Sequence, residues 1–223
     1  MTGPRPHPPA PAELHDLVLR RTRLQAPPAV PELVLHLADD LTGVWEDLER
    51  ELATGALPPP FWAFAWVGGQ ALARYLLDTP DEVAGLRVLD LATGSGLVAL
   101  AARRAGAREV TAVDIDPVAG AAVAANAAAN GLVVDVRCTD LTAGDPPDVD
   151  VLLAGDVCYD REMTDRVVPW LRAAAARGAR VLLGDPGRHY LPQAGLTQVA
   201  ALDVPTTRDL EGVLVKPTRV YAL

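Results

Sequence analysis

Val88-Leu89-Asp90-Leu91-Ala92-Thr93-Gly94-Ser95-Gly96 decides how the rest of the chain is read. Apolar residues lead to a carboxylate and a short loop with two glycines, and an alanine-rich helical stretch follows from Leu97. The order is strand, turn, helix. Gly94 and Gly96 lack a Cβ, so the backbone there turns sharply and lets a ligand come close, with helix-terminal amides directed at it. The stretch predicts a small-molecule cradle. It does not choose the molecule, because Gly94-x-Gly96-x-x-Ala99 also satisfies the dinucleotide fingerprint.

Outward from this stretch, strands and helices alternate. Strands are expected over 86–91, 109–114, 133–138, 149–155 and 180–184, with helices over 96–105, 117–130 and 162–177. Leu196–Val204 and Lys216–Leu223 add a hairpin without a convincing helix between its strands, and its last strand runs antiparallel to the others. The fold class is α/β: a doubly wound, mainly parallel seven-stranded sheet with helices on both faces. Ligands in such sheets lie beyond the carboxyl ends of the strands, at the switch point.

Upstream, residues 1–11 hold five prolines and little apolar bulk, and are expected to form a disordered tail. Residues 12–57 form an N-terminal extension. Leu14, Leu17, Val18 and Leu24 predict a helix from Ala12 to about Gln25, ended by Pro27 and Pro28. Leu33, Leu35 and Leu37 alternate as in a strand, with His36 read as structural, and 41–53 read as a second helix. Residues 58–223 form the main domain. Near its start stand Phe61, Trp62, Phe64 and Trp66, both phenylalanines and two of the four tryptophans of the chain. They precede Gly68-Gly69 and a helix from about Gln70 to Leu77, and are read as the wall of a pocket.

The 223 residues suffice for one sizeable core, and a formal net charge of −9 disfavours nucleic acid as a partner. No apolar run approaches the roughly 20 residues of a membrane span, and no secretory leader is evident, so no membrane partner and a cytoplasmic location are expected. Cys138 and Cys158 show no metal-ligand spacing and are read as buried thiols, with no metal expected. A monomer is expected.

The chemistry is located by the acidic residue at the end of each strand: Asp90, Asp114, Asp140 and Asp156. Asp90 precedes the glycine loop, where a carboxylate fixes the loop through its amides or receives a cationic group. Asp114 stands 20 residues after Gly94 (114 minus 94), the distance expected of a carboxylate on ribose hydroxyls. Asp116-Pro117 reads instead as a helix N-cap, with Gly131 as the matching stop. Asp140 suits either an acceptor for the exocyclic amine of adenine or a loop turn. Asp156 begins Asp156-Val157-Cys158-Tyr159, which sets a carboxylate and a phenol at the mouth of the fourth strand.

These features resemble the seven-strand S-adenosylmethionine-dependent methyltransferases. More closely, Pro60-Phe61-Trp62-Ala63-Phe64-Ala65-Trp66, Val113-Asp114-Ile115-Asp116-Pro117, Gly155-Asp156-Val157-Cys158-Tyr159-Asp160 and Gly184-Asp185-Pro186-Gly187-Arg188 resemble the electron-transfer-flavoprotein β-subunit lysine methyltransferases and their bacterial relatives. The match runs from about Pro31 to Arg188. The resemblance implies S-adenosylmethionine as cofactor, with S-adenosylhomocysteine as product, and methyl transfer to a protein lysine. By it Asp114 holds the ribose and Asp140 the adenine. Gly94, Gly96 and Trp66 flank the methionine part, with Asp90 and Thr93 also expected to bind the cofactor, while Asp156 and Tyr159 form the substrate side. Asp185–Arg188 matches without an assigned role. Ala92 departs from the family, whose loop commonly has glycine there, and an ordinary negative φ is expected at that position.

Methyl transfer from a sulfonium is an in-line displacement, so the chain mainly positions the nucleophile and needs no covalent intermediate. A lysine amine has a reference pKa of about 10.4, and its deprotonation at pH 7 costs roughly 4 to 5 kcal/mol. Asp156 is read as aiming the amine, with burial among Trp62, Trp66 and Tyr159 easing loss of the proton. The alternatives are a small-molecule or ribosomal-protein N-methyltransferase on the same fold and, further off, a nicotinamide-dependent oxidoreductase.

Overall fold

The computed structural model describes residues 10–52 and 59–223. The expected tail lies outside them except for Ala10 and Pro11, and Pro11 already opens a helix. In chain order the elements are α1 (Pro11–Arg21), β1 (Arg23–Gln25), β2 (Leu35–Leu37), α2 (Leu41–Leu52), α3 (Val67–Asp78), β3 (Arg87–Leu91), α4 (Leu97–Arg104), β4 (Glu109–Asp114) and α5 (Pro117–Ala129). Then come β5 (Asp135–Cys138), β6 (Val151–Gly155), α6 (Arg161–Ala176), β7 (Arg180–Asp185), β8 (Thr197–Pro205), α7 (Arg208–Glu211) and β9 (Val215–Ala222).

The sheet runs in the order β5-β4-β3-β6-β7-β9-β8. Its first five strands are parallel, β9 lies antiparallel beside β7, and β8 pairs antiparallel with β9 at the edge. This is the doubly wound sheet that the alternation predicts. The chain leaves β3 toward β4 and β5 and later continues from β6 toward β7, so the switch point falls between β3 and β6.

Strand periodicity decides which carboxylate faces what. Val88, Ala112, Leu153 and Leu182 pack toward α3 and α4 with Leu72, Leu76 and Val98. Leu89, Leu91, Leu152 and Leu183 pack toward α6 with Val167, Trp170 and Leu171. Asp90, between Leu89 and Leu91, therefore faces the α4 side.

Four sequence expectations need correction. The first helix ends at Arg21, and Leu24 lies in β1 with half of its surface exposed, because Arg23–Gln25 pairs with Leu35–Leu37. Helix α3 starts at Val67 rather than Gln70, taking both glycines into its first turn. They belong there because α3 presses on the strand ends: a Cβ on Gly68 would stand 2.4 Å from the Gly184 carbonyl, and one on Gly155 would stand 2.9 Å from Gly69 Cα. The hairpin carries one helical turn, α7, between its strands. Cys138 is exposed, whereas Cys158 is buried as expected.

Helix α5 begins with the Asp116 cap on the Val118 N–H and ends at Gly131, whose φ is 62°. Its polar residues hold the extension. Asn126 accepts from the His36 N–H at 2.6 Å and donates to the Ser95 carbonyl at 2.8 Å, and Asn130 bonds both backbone groups of Val34. The extension thereby touches the glycine loop through a single buried amide.

Candidate active site

The loop after β3 is built from its own side chains. Asp90 is 1% exposed, and its Oδ2 accepts from Thr93 Oγ1 at 2.6 Å and from the Ala99 N–H at 3.0 Å. Burial pushes its carboxyl up to about 7. Asp114 accepts from the Gly94 N–H at 2.9 Å through Oδ2 and from the Asp116 N–H at 3.0 Å through Oδ1. Burial raises this carboxyl too, against the pull of those backbone donors.

The expectation that amides of this loop face the ligand is not met at three positions. The Gly94 and Ala99 N–H groups are taken by Asp114 and Asp90, and the Gly96 N–H by the Thr93 carbonyl. Gly96 itself does not line the cavity. Its φ is 81°, and a Cβ there would stand 3.0 Å from the Val123 side chain, so this glycine lets α4 and α5 approach each other. Ala92 also departs from expectation, with φ 53° in place of a negative value. That left-handed backbone costs an alanine roughly 1 to 2 kcal/mol, and the interactions around it hold it there.

A cavity of about 450 Å³ opens beyond these strand ends. Trp66, Asp90, Thr93, Gly94, Asp114 and Asp140 line it, as do Asp156 and Tyr159 from the β6 end. Of the sequence-predicted residues only Gly96 falls outside. Trp66 donates its indole N–H to the Phe61 carbonyl at 3.0 Å, and the Phe61 ring lies against Tyr159 at a tilt of 51° with centroids 5.2 Å apart. Asp140 caps a short turn through the Thr142 N–H at 2.9 Å and meets Arg166 at 3.3 Å, so the turn reading and the cavity position hold together. The Thr142 hydroxyl leads the interactions that lower its carboxyl.

The β6 end is assembled differently. Asp156 has φ 55°, its Oδ2 accepts from the Gly69 N–H at 2.9 Å, and its Oδ1 meets Arg188 at 3.1 Å. Burial raises its carboxyl to about 6, with the Arg188 charge as the largest opposing influence. Tyr159 is 44% exposed, and burial of its hydroxyl followed by the nearby Asp160 raises it. Sequence reading left Arg188 without a role and missed Glu211: Arg188 also binds Glu211 through two bonds, at 2.5 and 2.9 Å. The Gly-Asp-Pro-Gly-Arg motif signalled Arg188, and nothing local signalled Glu211.

This lining suits a cationic ligand with hydroxyls. Asp90, Asp114 and Asp140 present carboxylates, and the three loop amides named above are not free to receive a pyrophosphate. The volume lies within the roughly 300–1,000 Å³ of small-molecule pockets. Among the described residues, no group of three or more His, Cys, Asp or Glu is placed to hold a metal, and no helix is long and apolar enough to cross a membrane.

Sheet order, switch-point cavity and strand-end carboxylates define a class I methyltransferase. The ribosomal protein L11 methyltransferase (PrmA) family matches residues 70–156. A solved magnesium protoporphyrin IX methyltransferase from Synechocystis, with bound S-adenosylmethionine, shares the fold at TM-score 0.51 and 18% identity, over 82% of this chain and 97% of that one. The electron transfer flavoprotein β-subunit lysine methyltransferase of Xenopus laevis is 39% identical over 173 residues, 77% of this chain and 69% of that protein. Its Danio rerio counterpart is 47% identical over 160 residues, 71% of this chain and 61% of the relative. The chain belongs to this family of lysine methyltransferases. It spans between 61% and 69% of the length of these two relatives.

Proposed function

We propose that the chain transfers a methyl group from S-adenosylmethionine to a lysine ε-amine of a protein, with the electron transfer flavoprotein β subunit as the foremost substrate. One observation carries the reading: Asp156 and Tyr159 line the same cavity as the loop carboxylates, from the opposite side of the switch point. The names of the relatives add the substrate class. The cofactor supplies a methyl group activated by a sulfonium.

In this reading Asp114 takes the ribose hydroxyls, Asp140 lies toward the adenine, and Asp90 with Thr93, Gly94 and Trp66 encloses the methionine part. Asp90 then has two tasks, since Oδ2 already fixes Thr93 and Ala99. Asp156 aims the substrate amine, and Phe61, Trp66 and Tyr159 form the apolar channel that strips water from it. The enzyme is taken to be a cytoplasmic monomer.

Incubation with labelled S-adenosylmethionine and, in parallel arms, purified electron transfer flavoprotein and host lysate, followed by mass spectrometry, tests this. Methyl groups on a lysine of the β subunit are expected. Label confined to small molecules or to ribosomal protein would replace this reading with one of the rival substrates on the same fold.

A further inference from the structure

Arg188 belongs to the one quoted motif that the proposed function leaves without work. It is held at one end by Glu211, whose side chain is 1% exposed, through two bonds at 2.5 and 2.9 Å. Its single contact with Asp156 is longer, at 3.1 Å. Lys216, the one lysine of the chain, also stands 3.8 Å from Glu211. The guanidinium is thus anchored by Glu211 and lent to Asp156, so an arriving ammonium does not need to displace it.

That arrangement meets a difficulty of the chemistry. A lone carboxylate beside a lysine holds the amine in its protonated form, which cannot accept a methyl group; a cation beside it does the reverse. Resting on the lysine-methylation reading above, we propose that Arg188 is the positioning residue that offsets the Asp156 charge, so that the carboxylate aims the substrate lysine without retaining its proton. The amine releases that proton to water, and its lone pair then forms the new C–N bond as the methyl–sulfur bond breaks.

The other charges at this end fit the same account. Asp185 is buried behind Arg188, and its Oδ1 accepts the Gly187 and Arg188 N–H groups at 2.7 Å each. Its Oδ2 has no hydrogen-bond partner among the described residues, and burial raises its carboxyl. Glu211 is matched by Arg188 and Lys216, while the Gly69 N–H adds a partial positive charge at Asp156. On the cavity side Asp160 caps α6 and Arg166 pairs with Asp140, which leaves Glu162 on the wall. Without Arg188, the ionised Asp156 beside the amine would be offset by the Gly69 N–H alone among these groups.

The test is the pH profile of methyl transfer to electron transfer flavoprotein from about pH 6 to 10, a range that brackets the ordinary lysine titration. Arg188→Gln removes the cation and keeps a donor. Its kcat is expected to fall about tenfold at pH 7 and to rejoin the wild type at high pH, with the acidic limb moved up by about one pH unit and KM not raised. Arg188→Lys keeps the charge and is expected to keep the wild-type limb. Arg188→Gln/Glu211→Gln removes the Arg188–Glu211 pair as a unit, leaves no unpaired Glu211 charge and is expected to show the same upward limb; it carries the test if the single variant misfolds. Equal loss at every pH would overturn this inference alone. A wild type that methylates no protein lysine would remove the substrate reading and this inference together.

Discussion

On the β3 side of the cavity, the partners of Asp90 and Asp114 lie close in sequence, Thr93 and Asp116 within three residues and the most distant two being backbone amides 9 and 20 residues away. On the β6 side, Asp156 reaches an amide 87 positions earlier and a guanidinium 32 positions later, and that guanidinium is fixed by a glutamate a further 23 positions on. The first half is a loop folding onto its own carboxylates. The second is a meeting of α3, β6, the segment after β7 and α7, and it exists only when the sheet is complete. In the proposed function, a cofactor common to many enzymes is served by the local device, and a substrate particular to one family by the long-range one.

The widest expected effect comes from breaking that meeting point. A Cβ at Gly184 would stand 2.1 Å from the Gly68 carbonyl, a backbone atom that cannot move aside without shifting α3. Gly184→Ala is expected to destabilise the protein by about 3 kcal/mol or more, read in thermal unfolding. Wild-type stability would mean that α3 is not seated on β7 as described. The carboxylate pair comes next. Asp114→Ala is expected to weaken S-adenosylmethionine binding by about 1.5–3 kcal/mol, the worth of one charged hydrogen bond. Asp156→Ala is expected to bind it normally in calorimetry yet transfer methyl to protein about a hundredfold more slowly, the scale at which lost positioning is felt. Equal losses of cofactor affinity in the two variants would erase the division between the halves.

The same division explains what was legible in the sequence. Strands and helices of the sheet could be read because apolar periodicity, the Asp116-Pro117 cap and the Gly131 stop are local signals. Asp90 and Asp114 were legible because their place relative to Gly94 is a matter of spacing. Glu211 was not, because nothing near it says that β9 will insert between β7 and β8 and bring α7 to Arg188. Gly68 and Gly69 were misread as a pause before a helix, since only the approach of β6 and β7 shows why glycine is needed inside α3. Asn126 and Asn130 carry a trace, two amides one turn apart in and just after an alanine-rich helix, but their partners His36 on β2, Val34 just before it and Ser95 in the glycine loop are set by tertiary packing.

The smallest expected effect probes where the two halves are alike. Ala92 and Asp156, just past the ends of the neighbouring strands β3 and β6, are the two described non-glycine residues with positive φ, at 53° and 55°. Asp156 bears that conformation more easily, since a short polar side chain tolerates it, and its carboxylate is fixed there by Gly69 and Arg188. Ala92 has no polar group to gain by it; it packs against the α6-side core and lines the cavity. Ala92→Gly would relieve roughly 1 to 2 kcal/mol of backbone strain and give back about 0.4–1 kcal/mol through the freer unfolded chain. A net gain of about 0.5–1 kcal/mol is therefore expected, seen as a higher denaturation midpoint at unchanged slope. A loss instead would mean that the Ala92 methyl contributes more to the core than its backbone costs. The alanine would then be a packing residue that the loop accommodates, and the two positive-φ positions would owe their conformation to different causes.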